Sequence, residues 1–143
     1  MPVVSFPSGP SADFVEMEIA TRAGDRFHLR LVVDSGFSGR SAFVLADKWQ
    51  HVSWADVVPS QAAGALSGPQ QRGWVHCSIR QLAWQRRLIA IFADINPLVL
   101  PDDADGIAGL SFLRNFDAWG AARTISGQWQ FQLSLLDSPQ RVV

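Results

Sequence analysis

The chain has 143 residues, of which 12 are basic and 13 acidic, and its formal net charge is −1. A nearly neutral chain has no electrostatic attraction for nucleic acid or for an anionic membrane, so we expect neither as a partner. Hydrophobic residues make up 48% of the chain and charged residues 17%, which is typical of a folded globular domain rather than of a disordered chain.

The first predicted element is a flexible arm over residues 1–11, because this segment is rich in proline, glycine and serine. It lacks the basic start and the apolar run of a secretory signal peptide. No apolar run in the chain approaches the roughly 20 residues of a membrane-spanning helix, so no membrane segment is expected. The single cysteine, Cys77, excludes an internal disulfide. These features favour the cytoplasm and are equally consistent with one domain of a longer protein.

Two strands are predicted next, at residues 15–19 and 27–33, where apolar and polar residues alternate. The residues between them predict a turn. The second strand ends on Asp34, and the turn-forming pair Ser35-Gly36 follows directly. A carboxylate in this position is either the cap of an ordinary turn or a reactive group that the fold holds in place.

The rest of the chain also predicts mainly strands. They fall at residues 41–45, 74–80, 87–92 and 129–133. The spacing of Leu110, Leu113 and Phe116 predicts a short helix over about residues 109–116. Short strands with turn residues between them indicate a mostly β domain, folded as a closed or strongly bent barrel.

Two segments carry a resemblance to a known family. Val32-Val33-Asp34-Ser35-Gly36 resembles the Asp-Thr/Ser-Gly motif of aspartic peptidases. Gly106-Ile107-Ala108-Gly109, followed by Leu110-Ser111-Phe112-Leu113, resembles the second element of that fold, in which two hydrophobic residues and a glycine precede a short helix. The two elements occur in the right order, with a glycine-rich hairpin between them. The chain therefore resembles the single-lobe, retropepsin-like branch, including its bacterial members.

The resemblance covers about residues 14–134. It implies a retropepsin-like closed barrel with one short helix near the C-terminus. The corresponding domain organisation is an arm at residues 1–11, a protease domain at residues 12–136 and a tail at residues 137–143.

The resemblance also implies that Asp34 is catalytic. In this chemistry two carboxyl groups lie about 3 Å apart and share one proton, because both cannot be ionised at that separation. The charged group takes a proton from water, and the other donates its proton to the scissile carbonyl. Asp-Ser-Gly occurs once in the chain, and Asp105-Gly106 lacks the hydroxyl residue. The second carboxyl is therefore expected from Asp34 of another copy, in a two-fold homodimer.

The neighbours of Asp34 receive supporting roles from the same resemblance. Ser35 would link the two active-site loops by hydrogen bonding. Gly36 would let the backbone bend tightly and direct its N–H at the carboxylate. Gly39 would let the loop turn back, and Gly109 would allow close packing behind it.

The flap of this family is a hairpin that closes over an extended peptide or protein substrate. It is expected at the glycine-rich turn that consists of Gly64, Ala65, Leu66, Ser67 and Gly68. Trp49 and Trp54 are the candidates for lining substrate subsites. No cofactor is expected for this chemistry.

Other reactive residue types favour structural interpretations. His76 and Cys77 are neighbours on a predicted strand and so point to opposite faces, which predicts a surface histidine and a buried cysteine rather than a metal-binding pair. Asp102, Asp103 and Asp105 lack the glutamate that closes a calcium loop, so this segment predicts a solvated loop. No metal is therefore expected.

The sequence thus predicts a homodimeric aspartic endopeptidase. Two alternatives stay open. The barrel could be a non-catalytic binding or dimerisation module in which Asp34 is only a structural acceptor. It could also be a monomeric barrel that encloses a small molecule.

Overall fold

A computed structural model describes residues 2–21, 23–46, 49, 58–62, 68–92 and 100–136. Within these ranges the chain forms ten strands, one short α-helix and 3₁₀ turns at Arg80–Leu82 and Pro101–Asp103. None of the helices in these ranges has the length and apolarity needed to cross a bilayer. The strands and the α-helix are β1 (Val3–Pro7), β2 (Phe14–Ala20), β3 (Arg26–Asp34), β4 (Phe43–Leu45), β5 (Val58–Ala62), β6 (Gly68–Ile79), β7 (Trp84–Phe92), β8 (Gly106–Gly109), α1 (Leu110–Leu113), β9 (Ala118–Arg123) and β10 (Trp129–Ser134).

Six strands close into a barrel in the order β2-β3-β8-β4-β7-β6, and the pairing of β6 with β2 completes the ring. The β3–β8 and β4–β7 pairs are parallel, and the other pairs of the ring are antiparallel. β5 extends the sheet beyond β6. The prediction of a mostly β closed barrel with one short helix is confirmed.

The barrel strands alternate as their sequences predict. In β2, Val15, Met17 and Ile19 are fully or almost fully buried, whereas Glu16 and Glu18 lie on the outer face. Successive strand residues point to opposite faces, so one face of β2 fills the barrel and the other meets solvent. This segregation of apolar side chains drives closure of the sheet.

The helix α1 closes the core with aromatic side chains. Phe112 and Leu113 are completely buried. The Phe112 ring lies 5.3 Å from that of Phe43, 5.9 Å from that of Trp84 and 5.2 Å from that of Phe116. Edge and tilted contacts of this kind add to the stabilisation that burial provides.

The α-helix is shorter than the predicted span of residues 109–116. The Asn115 side chain donates hydrogen bonds to the carbonyl oxygens of Ser111 and Phe112, at 3.0 and 2.9 Å. These carbonyls would otherwise accept from later helical N–H groups, so the side chain competes with continuation of the helix. The helix ends at Leu113.

The prediction of a flexible arm over residues 1–11 is wrong for its central part. β1 pairs antiparallel with β10, which in turn pairs with β9, to form a three-stranded sheet. Val4 and Phe6 are 6% and 4% exposed and join the core. Their period-2 spacing outweighs the neighbouring prolines, because Pro7 lies on an edge strand where its missing N–H costs no ladder bond. The predicted tail, residues 137–143, lies outside the described ranges.

Candidate functional site

Asp34 is the last residue of β3 and lies opposite Gly109, the last residue of β8, in the parallel β3–β8 pair. On its other side β8 pairs with β4. The chain that leaves β3 at Asp34 therefore crosses the end of β8 before it returns as β4. This crossing places the predicted Asp34 segment and the predicted Gly109 segment next to each other.

The Asp34 carboxylate is exposed, and one of its oxygens is held by the following turn. Oδ1 accepts a hydrogen bond from the Gly36 N–H at 3.0 Å. The Asp34 carbonyl oxygen accepts from the Phe37 N–H at 3.1 Å. A carboxylate that binds the backbone two residues later fixes the turn and its own orientation. Asp34 is therefore positioned and still accessible from outside the single chain.

Position 36 lies close to the Asp34 carboxylate. A Cβ atom at Gly36 would lie 3.1 Å from the Asp34 Oδ1 and would crowd the carboxylate. Ser35, between them, is exposed beside Asp34. Gly39 has a φ of +119°, which a residue with a side chain rarely adopts. It reverses the loop toward β4.

Gly109 joins this loop to the helix. A Cβ atom at Gly109 would lie 2.6 Å from the Phe37 carbonyl oxygen, so no larger residue fits without displacing the loop backbone. The Leu110 N–H donates to that same oxygen at 2.8 Å, and the Gly109 N–H donates to the Ala42 oxygen at 2.9 Å. The start of α1 thus supports the Asp34 loop from behind.

The predicted flap is described only in part. Gly64, Ala65, Leu66 and Ser67 lie outside the described ranges, as does the subsite candidate Trp54. Gly68 is the first residue of β6 and lies opposite Ala62, the last residue of β5. The two arms on either side of the predicted flap tip are therefore paired in an antiparallel ladder.

Asp105, which the sequence placed in a solvated loop, has a structural role. Its Oδ2 accepts from the Arg30 N–H at 2.8 Å, and its Oδ1 accepts from the Trp49 indole N–H at 3.2 Å. Its main chain donates to the Arg30 oxygen and accepts from the Ala46 N–H. Asp105 therefore ties β3, the end of β4 and the start of β8 together. Asp102 and Asp103 are exposed, as predicted.

Trp49, a predicted subsite residue, belongs to this structural contact. Its indole binds Asp105, and its ring packs edge-on against Phe27 with centroids 5.1 Å apart. Position in the sequence alone did not reveal the pairing, because residues 49 and 105 lie far apart along the chain. Only closure of the barrel brings them together.

The prediction for His76 and Cys77 is confirmed. His76 is exposed and lies 3.2 Å from the Gln85 side chain, whereas Cys77 is completely buried. Burial raises the pKa of the Cys77 thiol to about 12, so the thiol is protonated at neutral pH and is a poor nucleophile. No group of three or more potential metal-ligating side chains occurs within the described ranges.

A separate groove of about 970 Å³ lies on the outer face of the barrel, beside β1. Its lining includes two cross-strand contacts, between Glu16 and His28 at 3.2 Å and between Glu18 and Arg26 at 3.1 Å, of which the second is an ion pair. Asp34 is not part of this lining. The paired side chains of the groove already contact one another across the strands. The Asp34 loop is therefore a better candidate for a reactive site than the groove.

Comparisons of the chain with models of protein families, with curated proteins and with solved structures gave no match.

Proposed function

We propose that this protein is a retropepsin-like aspartic endopeptidase that acts as a homodimer. The observation that carries the proposal is the Asp34 turn, in which an exposed carboxylate at the end of a barrel strand is oriented by the Gly36 N–H. A carboxylate that served only as a turn cap would not need the close support that Gly109 and Phe37 give to this loop.

The chemistry requires one Asp34 from each subunit, because the chain carries only one Asp-Ser-Gly sequence. The ionised carboxylate removes a proton from a water molecule, and the water oxygen attacks the scissile carbonyl carbon. The protonated carboxyl donates its proton to the carbonyl oxygen, giving a tetrahedral diol. Collapse of the diol breaks the C–N bond while a carboxyl group protonates the leaving amine.

The proposed substrate is an extended segment of peptide. Within the described ranges β5 ends the sheet order, beyond β6, and so presents an edge next to the predicted flap tip. An extended peptide binds such an edge by main-chain hydrogen bonds, with alternate side chains directed to opposite sides. Closure of the two flaps would exclude water from the reacting groups.

The decisive experiment is digestion of a peptide library by the wild-type chain and by Asp34→Asn, across a range from neutral to mildly acidic pH. We expect cleavage by the wild type to increase in mild acid, where the pair of carboxyl groups holds one proton, and to disappear in Asp34→Asn. Asp25→Asn is the matched control, because Asp25 is an exposed aspartate in the β2–β3 turn.

Equal cleavage by Asp34→Asn and the wild type would contradict the proposed mechanism. A wild-type protein that cleaves nothing at any pH and does not bind pepstatin would favour the non-catalytic module instead.

A further inference from the structure

The groove on the outer face of the barrel follows an open edge of β1. On one side β1 pairs with β10, and no strand within the described ranges pairs with its other side. Ser5 and Phe6 both line the groove, although neighbouring strand residues point to opposite faces. A groove that both residues line therefore runs along the edge of the strand.

The main chain of β1 directs hydrogen-bonding groups toward this edge. The Ser8 N–H, directly after β1, donates to the Trp129 oxygen at 3.1 Å, in register with the β1–β10 ladder. Since hydrogen-bonded pairs alternate in an antiparallel ladder, the even-numbered residues of β1 bind β10. Val3 and Ser5 therefore direct their N–H and C=O groups outward, and Pro7 directs its C=O group outward.

Arg80 supplies a cation on the wall of the groove. It begins the 3₁₀ turn that lies beside β1, and its carbonyl oxygen accepts from the Ala83 N–H at 2.9 Å. The turn thus fixes the main chain of Arg80, while its side chain is exposed. Within the described ranges the Arg80 guanidinium has no hydrogen bond or ion pair. It is therefore available to an anionic group of a ligand.

The two glutamates of the groove already contact basic side chains. Glu18 forms an ion pair with Arg26, and Glu16 lies 3.2 Å from the His28 ring nitrogen. Arg80 is the charged side chain of the lining that lacks such a contact. The charge that a ligand must bring to complete the groove is therefore negative.

The size and the floor of the groove suit a peptide. Its volume of about 970 Å³ is at the upper end of the range of ligand sites, roughly 300–1,000 Å³. Four apolar side chains, each 9% exposed or less, contribute to its lining: Phe6, Met17, Ile79 and Trp84. An extended peptide can therefore rest apolar side chains on this floor and direct the alternate ones away from it.

We propose that this groove binds an extended acidic peptide segment of another protein, which adds a strand to the open edge of β1. The main chain of Ser5 donates to and accepts from the peptide, and a glutamate or aspartate of the peptide binds Arg80. Strand addition draws affinity from main-chain bonds and specificity from side-chain contacts. Asp34 does not line the groove, so this binding site goes beyond the proposed peptidase activity and does not depend on it.

Fluorescence anisotropy tests the charge preference. The probes are labelled pools of short peptides, with mixed neutral residues around a central glutamate, glutamine or lysine. The wild type and Asp34→Asn are measured in parallel, because the variant cannot cleave a probe if the proposed activity is correct. We expect the glutamate pool to bind about tenfold more tightly than the glutamine pool, and the lysine pool to bind most weakly.

Variants of Arg80 test which residue reads the charge. Arg80→Gln should abolish the preference for glutamate, and Arg80→Glu should transfer the preference to the lysine pool. Arg86→Gln is the matched control, because Arg86 is an exposed arginine of β7 that does not line the groove. A preference for glutamate that survives in Arg80→Gln would overturn the proposal.

Variants of Ser5 test strand addition. Ser5→Pro removes an outward N–H without removing a bond to β10, so it should weaken the binding of every pool. Ser5→Ala keeps the N–H and should bind like the wild type. Circular dichroism checks the fold of both variants. N-methylation of alternate main-chain nitrogens in the peptide removes the same class of bond without changing the protein, and unchanged binding of both methylated registers would overturn strand addition.

Other occupants of the groove give different results. A wild-type dimer that Arg80→Gln dissociates would show that a second copy of the chain fills the groove. A tenfold gain in peptide affinity after removal of residues 137–143 would show that the chain fills the groove itself. Either result, or the absence of binding by all three pools, would overturn the proposal.

The outcomes separate this site from the proposed function. Binding of the glutamate pool that depends on Arg80, in a chain that cleaves no peptide, would uphold the groove and refute the peptidase. Cleavage that requires Asp34, in a chain that shows no preference for glutamate in this assay, would do the reverse.

Discussion

Asp34 and Asp105 lie at opposite ends of the same parallel strand pair, β3–β8, and the fold treats them differently. Asp105 precedes β8, and its two carboxylate oxygens accept from the Arg30 N–H and the Trp49 indole. Asp34 ends β3, is exposed, and has one oxygen oriented by the Gly36 N–H of its own turn. The Asp105 carboxylate connects distant parts of the chain, and the Asp34 carboxylate is oriented by its own local turn. The hydrogen-bond partners of the two carboxylates, and not their residue type, distinguish the structural aspartate from the candidate reactive one.

The largest expected effect is on catalysis and comes from Asp34→Asn. Loss of the ionisable carboxyl should reduce peptide cleavage by on the order of 10³-fold or more, because both proton transfers depend on it. The free energy of unfolding should change by less than about 0.5 kcal/mol, since the amide side chain of the variant would keep an oxygen for the Gly36 N–H. Cleavage assays and urea unfolding measure the two quantities. A large loss of stability would show that Asp34 has a structural role.

Asp105→Ala should show the opposite behaviour. It leaves the Arg30 N–H and the Trp49 indole without their acceptor, which should lower the free energy of unfolding by about 1–3 kcal/mol. Asp105→Asn keeps one acceptor oxygen and should cost less. Urea unfolding measures both, with Asp25→Ala as an exposed control. An unchanged midpoint in Asp105→Ala would show that Asp105 is not the structural member of the pair.

Gly109→Ala should lower both the stability of the fold and the rate of peptide cleavage. The added methyl would lie against the Phe37 main chain, and relief of that overlap must move the Asp34 loop or the start of α1. We expect a loss of about 1–3 kcal/mol in stability, together with reduced cleavage. Gly120→Ala is the control for stability, because a Cβ there meets nothing within 4 Å. Full activity in Gly109→Ala would show that the loop does not need this support.

The smallest effect at neutral pH comes from Cys77, and it grows only in alkali. Burial raises the pKa of this thiol from 9.0 to about 12, so the folded state keeps the proton that the unfolded state loses. The stability that this provides is complete below pH 9 and is lost as the pH rises from 9 toward 12. The thermal unfolding temperature of the wild type should therefore decrease across this pH range. The unfolding temperature of Cys77→Ala should decrease less. The chain has no tyrosine to confuse the measurement.

The elements with strict alternation were predictable because their local pattern matches their final environment. β2 and β3 follow from period-2 spacing, and the buried Cys77 beside an exposed His76 follows from the same rule. The strand β1 was not predicted, because Pro7 and its neighbours favour a loop when only the local sequence is considered. Only the edge position offered by β10 makes that sequence a strand.

Local sequence specifies the apolar alternation of the strands, the single Asp-Ser-Gly motif and the glycines of the Asp34 turn, because these depend on residues close together in the chain. Folding settles which aspartate is bonded across the barrel, why Gly109 must be small, and that β9 has an open edge within the described ranges. Each of these depends on contacts between segments far apart in sequence, which form when burial of the apolar faces closes the barrel.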